Sequence, residues 1–95
     1  MREISVSNQT KVLIVDDHPL FRQGLRDVLE TDMALTVVGE AADGEVAIEM
    51  VEESSPNVIL MDINLPTING LQVTRRIKAK RPECKVIVIT GYDDD

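Results

Sequence analysis

Apolar residues along the chain form four short runs that alternate with stretches of helical periodicity. The runs are rich in β-branched residues, and they predict strands over 11–16, 35–41, 57–62 and 85–90. In the first run, Val12 to Val15, no polar residue interrupts the apolar ones, which is typical of a strand covered on both faces. Strands that alternate with helices in this way predict an α/β fold with an open parallel sheet.

Three helices are predicted in the intervening stretches from apolar residues spaced three and four apart. Pro19 suits the first turn of the first helix, and Asp43 can cap the second. The third helix runs from Leu71 to about Lys80, after a loop over 63–69. The residues predicted to face inward are Phe21, Leu25, Val28, Leu29, Val46, Ala47, Met50, Val51, Val73 and Ile77.

The length of 95 residues corresponds to one domain, which we expect over residues 11–95 after a polar tail over 1–10. With 17 acidic and 10 basic residues the net charge is −7, so the segment lacks the positive charge that nucleic-acid binding requires. No apolar run reaches the roughly 18 residues of a membrane span, and no signal-peptide pattern is present. Together with a single cysteine, Cys84, these features predict a cytoplasmic protein without disulfides.

Candidate chemistry lies where the first and third strands end. In a sheet of strand order 2-1-3-4 these strands are neighbours, and ligands of such sheets bind at the carboxyl ends of the strands beside this point. Asp16 and Asp17 close the first strand, and Asp62 closes the third. Three converging carboxylates repel one another unless a divalent cation or a proton neutralises them. Magnesium, which prefers oxygen ligands, is the predicted occupant.

Each residue has a predicted role at that site. Asp17 and Asp62 can supply two direct ligands and the backbone carbonyl of Asn64 a third, while Asp16 can act through a coordinated water. Asp62 ends a buried strand and is the predicted nucleophile, which would form an aspartyl phosphate when a metal shields its charge. Thr90 closes the fourth strand, where its hydroxyl can donate a hydrogen bond to a phosphoryl oxygen.

Simpler interpretations stand beside these. Aspartates often follow strands because they favour turns and helix caps, and Asp17 can be such a cap. Thr90 can be only a β-branched strand residue, which periodicity alone favours. His18 is the sole histidine, and we expect it to be a polar residue at the helix start rather than a metal ligand.

The motifs taken together resemble the receiver domain of response regulators. They are VLIVDDHP over 12–19, VILMDINLP over 58–66 followed by Gly70, and VIVITG over 86–91. The stretch DDHPLFRQGL over 16–25 is similar to the NarL/FixJ subfamily of bacterial transcriptional regulators. The resemblance runs over residues 11–95 and implies a flavodoxin-like receiver fold with strand order 2-1-3-4.

The resemblance also implies roles for individual residues. Asp62 would be the phosphoacceptor, Thr90 the switch hydroxyl, and the Mg²⁺ ligands would be Asp16, Asp17, Asp62 and the backbone carbonyl of Asn64. A sensor histidine kinase would donate the phosphoryl group in two-component phosphorelay signalling, and acetyl phosphate could replace it. Because the group passes to the protein's own residue, the protein would not be a turnover enzyme. Receivers of this subfamily control a DNA-binding output domain.

One departure from the family qualifies this expectation. Receivers continue after the fourth strand with a helix, a fifth strand and a last helix, which include a lysine that contacts the phosphoryl group. We therefore expect a C-terminally truncated receiver whose fourth strand is an exposed edge and favours homo-oligomers. Lys85 begins the fourth strand, at the opposite end of the sheet from the site, so it cannot replace that lysine.

Two other functions compete with phosphoryl acceptance. The first is a non-switching module for protein-protein interaction, in which the acidic pocket stays idle. The second is a hydrolytic phosphatase of the same broad fold. That function needs a general acid near the nucleophile, and Asn64, two residues after Asp62, cannot protonate a leaving group.

Overall fold

The computed structural model describes residues 9–66 and 68–89, and its strands and helices alternate as predicted. The elements are β1 (Thr10–Val15), α1 (Pro19–Leu29), β2 (Leu35–Ala41), α2 (Gly44–Ser54), β3 (Val58–Asp62), α3 (Gly70–Lys80) and β4 (Lys85–Ile89). All neighbouring strands are parallel, in the order β2-β1-β3-β4. This confirms the flavodoxin-like α/β fold with strand order 2-1-3-4. Of the helices in this part of the chain, none has the length and apolar character needed to cross a membrane.

The core surrounds the two central strands. Residues Val12 to Val15 of β1 are at most 3% exposed, which confirms that both faces of this strand are covered. Ile59 and Met61 of β3 have no exposed surface. The helix and loop residues that complete the core cluster are Ala47, Val51, Leu65, Val73, Ile77 and Cys84. The central strands β1 and β3 therefore form a well-packed support for the residues at their carboxyl ends.

Helix α1 is rotated about its axis relative to the prediction. Val28 was expected to face inward, but it is 67% exposed, and no residue of α1 is fully buried. The half-buried face is formed by Phe21, Arg22, Leu25, Arg26 and Leu29. Two arginines belong to this face because they contact an acidic residue of β2, which apolar spacing does not indicate. The inward prediction for Val28 is therefore wrong.

A second correction concerns α2, where Val46 is 37% exposed. The buried stripe of this helix consists of Gly44, Ala47 and Val51. Val46 precedes Ala47 by one residue, which is about 100° around the helix. Gly44 takes an inward position because Val73 of α3 approaches it so closely that a Cβ atom there would overlap. The prediction held for Ala47 and Val51 but not for Val46.

An ionic cluster of Arg22, Arg26, Glu30 and Glu40 joins α1 to β2. Nε of Arg22 lies 3.1 Å from Oε1 of Glu40, and Nη1 of Arg26 lies 2.6 Å from Oε2 of the same side chain. Arg26 also donates through Nε to Glu30 over 3.1 Å. The hydrogen bond from Arg26, opposed by burial and reinforced by Arg22, lowers the pKa of Glu40 from its usual value. Charge pairing therefore helps to attach a helix in which no residue is fully buried.

Replacing Glu40 by Gln should lower the free energy of unfolding by about 1–2 kcal/mol at neutral pH, because two arginines lose a charged acceptor. A carboxyl group whose pKa is lowered by folding contributes stability above its unfolded pKa, near 4.5. That contribution disappears as the pH falls through the folded pKa. Urea unfolding from about pH 7 to about pH 3 should therefore show the two proteins converging in stability on acidification.

Glu30→Gln is the control for this comparison, because within the described residues Glu30 pairs only with Arg26 and its side chain is 48% exposed. Glu30→Gln should change the free energy of unfolding by no more than about 0.5 kcal/mol, as is usual for exposed ion pairs within a helix. If the two substitutions have equal effects at neutral pH, Glu40 is not the residue that attaches α1 to the sheet.

Candidate functional site

The acidic residues at the strand ends are brought together by the register of β1 and β3. Val15 pairs with Met61, so Asp16 and Asp62 are the next residues on two neighbouring strands. These two aspartates are only 1% and 3% exposed. Asp17 follows at the exposed rim of the same edge. The structure thus places all three predicted aspartates at the carboxyl end of the central strands.

Backbone hydrogen bonds orient the two buried carboxylates. Oδ1 of Asp16 accepts a hydrogen bond from the amide of His18 over 2.8 Å, and Oδ1 of Asp62 accepts one from the amide of Asn64 over 3.0 Å. Both bonds span two residues, as in the turns that aspartate forms after a strand. The N-cap position of α1 belongs to His18 rather than to Asp17. These turns therefore hold the carboxylates of Asp16 and Asp62 in place within the acidic cluster of Asp16, Asp17 and Asp62.

His18 lies at the N-cap of α1, as predicted for a polar residue at the helix start, and it also contacts the acidic cluster, which was not predicted. Its Nδ1 lies 2.8 Å from Oδ1 of Asp16 and 3.1 Å from Oδ1 of Asp17. The hydrogen bond with Asp16 raises the pKa of His18, and the nearby carboxylates add to the rise against an opposing desolvation effect. A protonated imidazole at this position offsets part of the repulsion among the aspartates. The signal available in the sequence is its place directly after an acidic pair.

The cluster fits a divalent cation with oxygen ligands. One ligand atom from each of Asp16, Asp17, His18 and Asp62 can be chosen so that all lie within 4.8 Å of one another. Ligands on opposite sides of Mg²⁺ lie about 4.2 Å apart, because each bond is ~2.1 Å long. The cluster therefore needs only a small contraction, or a bridging water, to hold this ion. Its three carboxylates are the hard oxygen ligands that Mg²⁺ prefers.

The start of α3 packs against the backbone of the site. The amide of Gly70 donates to the carbonyl of Ile63 over 2.9 Å. A Cβ atom at Gly70 would lie 2.9 Å from both the carbonyl oxygen of Asp62 and the Cα atom of Ile63. Asn69 caps the helix by accepting a hydrogen bond from the amide of Gln72 over 2.9 Å. Glycine is required at the first helical position because the main chain after β3 leaves no room for a side chain.

Gly70→Ala should lower the free energy of unfolding by about 1–3 kcal/mol, the usual effect of forcing an extra carbon into a packed region. The atoms in its way belong to the main chain, so relief of the overlap should also displace Asp62 and weaken Mg²⁺ binding. Urea unfolding and titration calorimetry measure the two effects.

Gly24→Ala is the matched control within α1. Apart from its chain neighbours and the backbone of its own helix, no atom of the described residues lies within 4 Å of a Cβ at Gly24, and alanine in a helix should raise stability by about 0.5–1 kcal/mol. An equal response of the two glycines would show that the close approach at Gly70 has no energetic consequence.

The remaining predicted residues differ in how far the structure describes them. Thr90 lies outside the described residues. Asn64 is exposed and adjoins the site through its amide, while the role of its carbonyl stays a prediction. Lys85 pairs with the first residue of β3, so it lies at the opposite end of the sheet from Asp62, as predicted. Cys84 is 1% exposed, and burial raises the pKa of its thiol, which fits a structural residue.

Comparison with known proteins adds sequence likeness to this geometry. The family described as response regulator receiver domain matches residues 12–95. The transcriptional regulatory protein DegU of Brevibacillus brevis is 42% identical over 95 residues, which is 100% of this chain and 40% of DegU. The chain therefore spans about 40% of the length of this curated relative.

Solved structures show the same likeness in three dimensions. The non-phosphorylated receiver domain of the stress response regulator RcsB from Escherichia coli superposes with a TM-score of 0.82 at 30% identity, covering 92% of this chain and 69% of that one. RcsB from Salmonella enterica serovar Typhimurium, bound to promoter rprA in the presence of phosphomimetic BeF3-, gives a TM-score of 0.82 at 30% identity. That match covers 92% of this chain and 50% of the RcsB chain.

Proposed function

Because the chain belongs to the response regulator receiver domain family, we propose that it accepts a phosphoryl group on Asp62 in two-component phosphorelay signalling. The donor is a sensor histidine kinase. Transfer is assisted by Mg²⁺, whose ligands are Asp16, Asp17, Asp62 and the backbone carbonyl of Asn64. The observation that carries this proposal is the meeting of two buried carboxylates from neighbouring strands with a third at the rim, within 4.8 Å.

Asp62 is the nucleophile of the proposed step. One of its carboxylate oxygens forms a bond to phosphorus, while the bond from phosphorus to the leaving atom of the donor breaks and the leaving group keeps the electron pair. Bound Mg²⁺ supplies positive charge that shields the carboxylate from the anionic phosphoryl group. The hydrogen bond from the Asn64 amide fixes the orientation of the Asp62 carboxylate. The product is an aspartyl phosphate on the protein itself, so this is not the reaction of a turnover enzyme.

The new charge on Asp62 is the signal in this proposal. Phosphorylation adds about −1.5 to −2 charges, and we assign the hydroxyl of Thr90 to its detection. Among the relatives, DegU is named a transcriptional regulatory protein and RcsB is solved bound to a promoter. We therefore propose that a receiver domain over residues 11–95, after a polar tail over 1–10, controls a DNA-binding output domain. Its own net charge of −7 disfavours direct contact with DNA.

Incubation with acetyl phosphate and Mg²⁺ tests the proposal without an identified kinase. Intact-mass spectrometry should show the mass increase of one phosphoryl group, and EDTA should suppress it because the shielding cation is removed. Hydroxylamine, which cleaves acyl phosphates, should release the phosphoryl group as phosphate and leave the hydroxamate of Asp62, a much smaller mass increase. A folded protein that gains no mass in the presence of Mg²⁺ contradicts the proposed function.

A second candidate function uses the edge of the sheet. Within residues 9–66 and 68–89, β4 is an edge strand, and its Ile87 is 52% exposed. An apolar edge strand can pair with a second copy of the chain, so we propose a homo-oligomerising interaction module as the alternative. Sedimentation velocity over a range of concentrations should then show association that Ile87→Lys abolishes. A protein that stays monomeric at every concentration excludes this alternative.

A further inference from the structure

Arg22 joins the ionic cluster to the backbone of the acidic site. Its Nη1 donates to the backbone carbonyl of Asp16 over 2.6 Å, while Nε of the same guanidinium donates to Glu40 over 3.1 Å. We propose that Arg22 is a positioning residue for the Mg²⁺ site, which holds the link between β1 and α1 so that the carboxylates of Asp16 and Asp17 point at the ion. This role rests on the proposed Mg²⁺-dependent function.

The link between β1 and α1 consists of residues 16–18. Arg22 contacts it at both ends, because its backbone amide donates to the carbonyl of His18 over 3.0 Å and its side chain donates to the carbonyl of Asp16. On the other side, the amide of Asp16 donates to the carbonyl of Ala41 in β2 over 3.0 Å. The carboxylates carried by this short link therefore take their direction from a few hydrogen bonds, two of which come from Arg22.

A guanidinium is suited to this position by its shape. Its planar fork donates to two acceptors at once, the Glu40 carboxylate and the Asp16 carbonyl. A lysine ammonium is a point charge on a flexible stem and does not reproduce that geometry. The Arg22 side chain is only 19% exposed, so water competes weakly for the carbonyl. The contact is therefore largely shielded from solvent.

The contribution of Arg22 is one of position rather than of charge. An unpaired cation beside the acidic site would repel Mg²⁺ and weaken its binding. Glu40 pairs with Arg22, and Glu30 supplies a second negative charge through Arg26. The cluster of two arginines and two glutamates is therefore neutral as a whole. What Arg22 adds to the site is the direction that its hydrogen bonds give to the backbone.

Arg26 provides a matched control one turn further along α1. It shares the Glu40 carboxylate with Arg22, at 2.6 Å, and its other side-chain hydrogen bond goes to Glu30. Truncation of either arginine removes one partner of Glu40. Only truncation of Arg22 also removes the hydrogen bond to the Asp16 carbonyl. The difference between the two variants therefore isolates that bond from the ionic cluster.

Titration calorimetry with Mg²⁺ compares the parent protein with three variants. Arg22→Ala should raise the dissociation constant for Mg²⁺ roughly tenfold, a usual effect of removing a residue that orients metal ligands. Arg22→Lys can keep only one of the two side-chain hydrogen bonds, so its dissociation constant for Mg²⁺ should lie between those of Arg22→Ala and the parent. The dissociation constant of Arg26→Ala for Mg²⁺ should stay within about twofold of that of the parent, since this variant loses only partly exposed ion pairs.

A measurement without metal tests the contact itself. In the metal-free protein, the carbonyl ¹³C resonance of Asp16 should move in Arg22→Ala and stay in place in Arg26→Ala. Equal Mg²⁺ affinities in these two variants, or an unmoved Asp16 resonance in Arg22→Ala, would overturn the positioning role. If the parent protein itself fails to bind Mg²⁺, the proposed function is contradicted, and this outcome is distinct because it does not depend on Arg22.

Discussion

Asp62→Asn is expected to abolish the mass increase that acetyl phosphate and Mg²⁺ produce. Asparagine has nearly the same shape, so the variant should fold, but its amide lacks the anionic oxygen that attacks phosphorus. It also removes one carboxylate from a cluster of three, so the free energy of unfolding should stay level or rise as repulsion is relieved. Intact-mass spectrometry and urea unfolding measure the two outcomes on the same sample.

Asp43→Asn is the matched control for this loss. Asp43 caps α2 by accepting a hydrogen bond from the amide of Val46 over 3.0 Å, and asparagine caps helices about as well. This variant should therefore gain the phosphoryl mass as the parent does. A mass increase that persists in Asp62→Asn would place the phosphoacceptor on another residue, while a loss in both variants would mean that uptake depends on more than the acidic cluster.

Ile59→Ala is expected to lower the free energy of unfolding by about 2–5 kcal/mol. Ile59 has no exposed surface, and its strand lies between β1 and β4, where it pairs with Leu13 and Val86. The substitution removes buried apolar surface and leaves a cavity that the surrounding strands cannot close. Since a chain of this size has a total stability of roughly 5–14 kcal/mol, much of its margin should disappear. Urea unfolding followed by circular dichroism measures the change.

Ile87→Ala provides the comparison on an adjacent strand. Ile87 is 52% exposed, so the same change of side chain there should alter stability by no more than about 1 kcal/mol. If Ile59→Ala and Ile87→Ala have similar effects, the core does not lie around the central strands as the structure describes it.

The parallel sheet could be predicted because its central strands are buried on both faces. Val12 to Val15 form an unbroken apolar run, and a half-exposed strand would alternate instead. The rotation of α1 could not be predicted in the same way. Phe21, Leu25, Val28 and Leu29 lie close together around the helix, and the choice among them depends on Glu40, which is distant in sequence from Arg22.

The meeting of the aspartates at the ends of β1 and β3 could be predicted from the sequence. Parallel strands carry their carboxyl ends to one edge, so Asp16 and Asp62 meet once β1 and β3 are neighbours. The contact of His18 with the cluster has one signal in the sequence, its place directly after the acidic pair, but its geometry depends on the turn that directs Nδ1 toward two carboxylates. The contact between Arg22 and the Asp16 carbonyl involves the backbone, which leaves no pattern in the sequence.

The weak burial of α1 has a consequence for motion. Regions with few buried contacts open without global unfolding, so amide hydrogens of α1 should exchange with solvent much faster than those of β1. Residues 16–18 join these two elements, so each opening of the helix releases the hydrogen bond from Arg22 to the Asp16 carbonyl. A Mg²⁺ ion that binds only the closed form would slow exchange throughout α1. Ion binding and the docking of this helix would then be one coupled equilibrium.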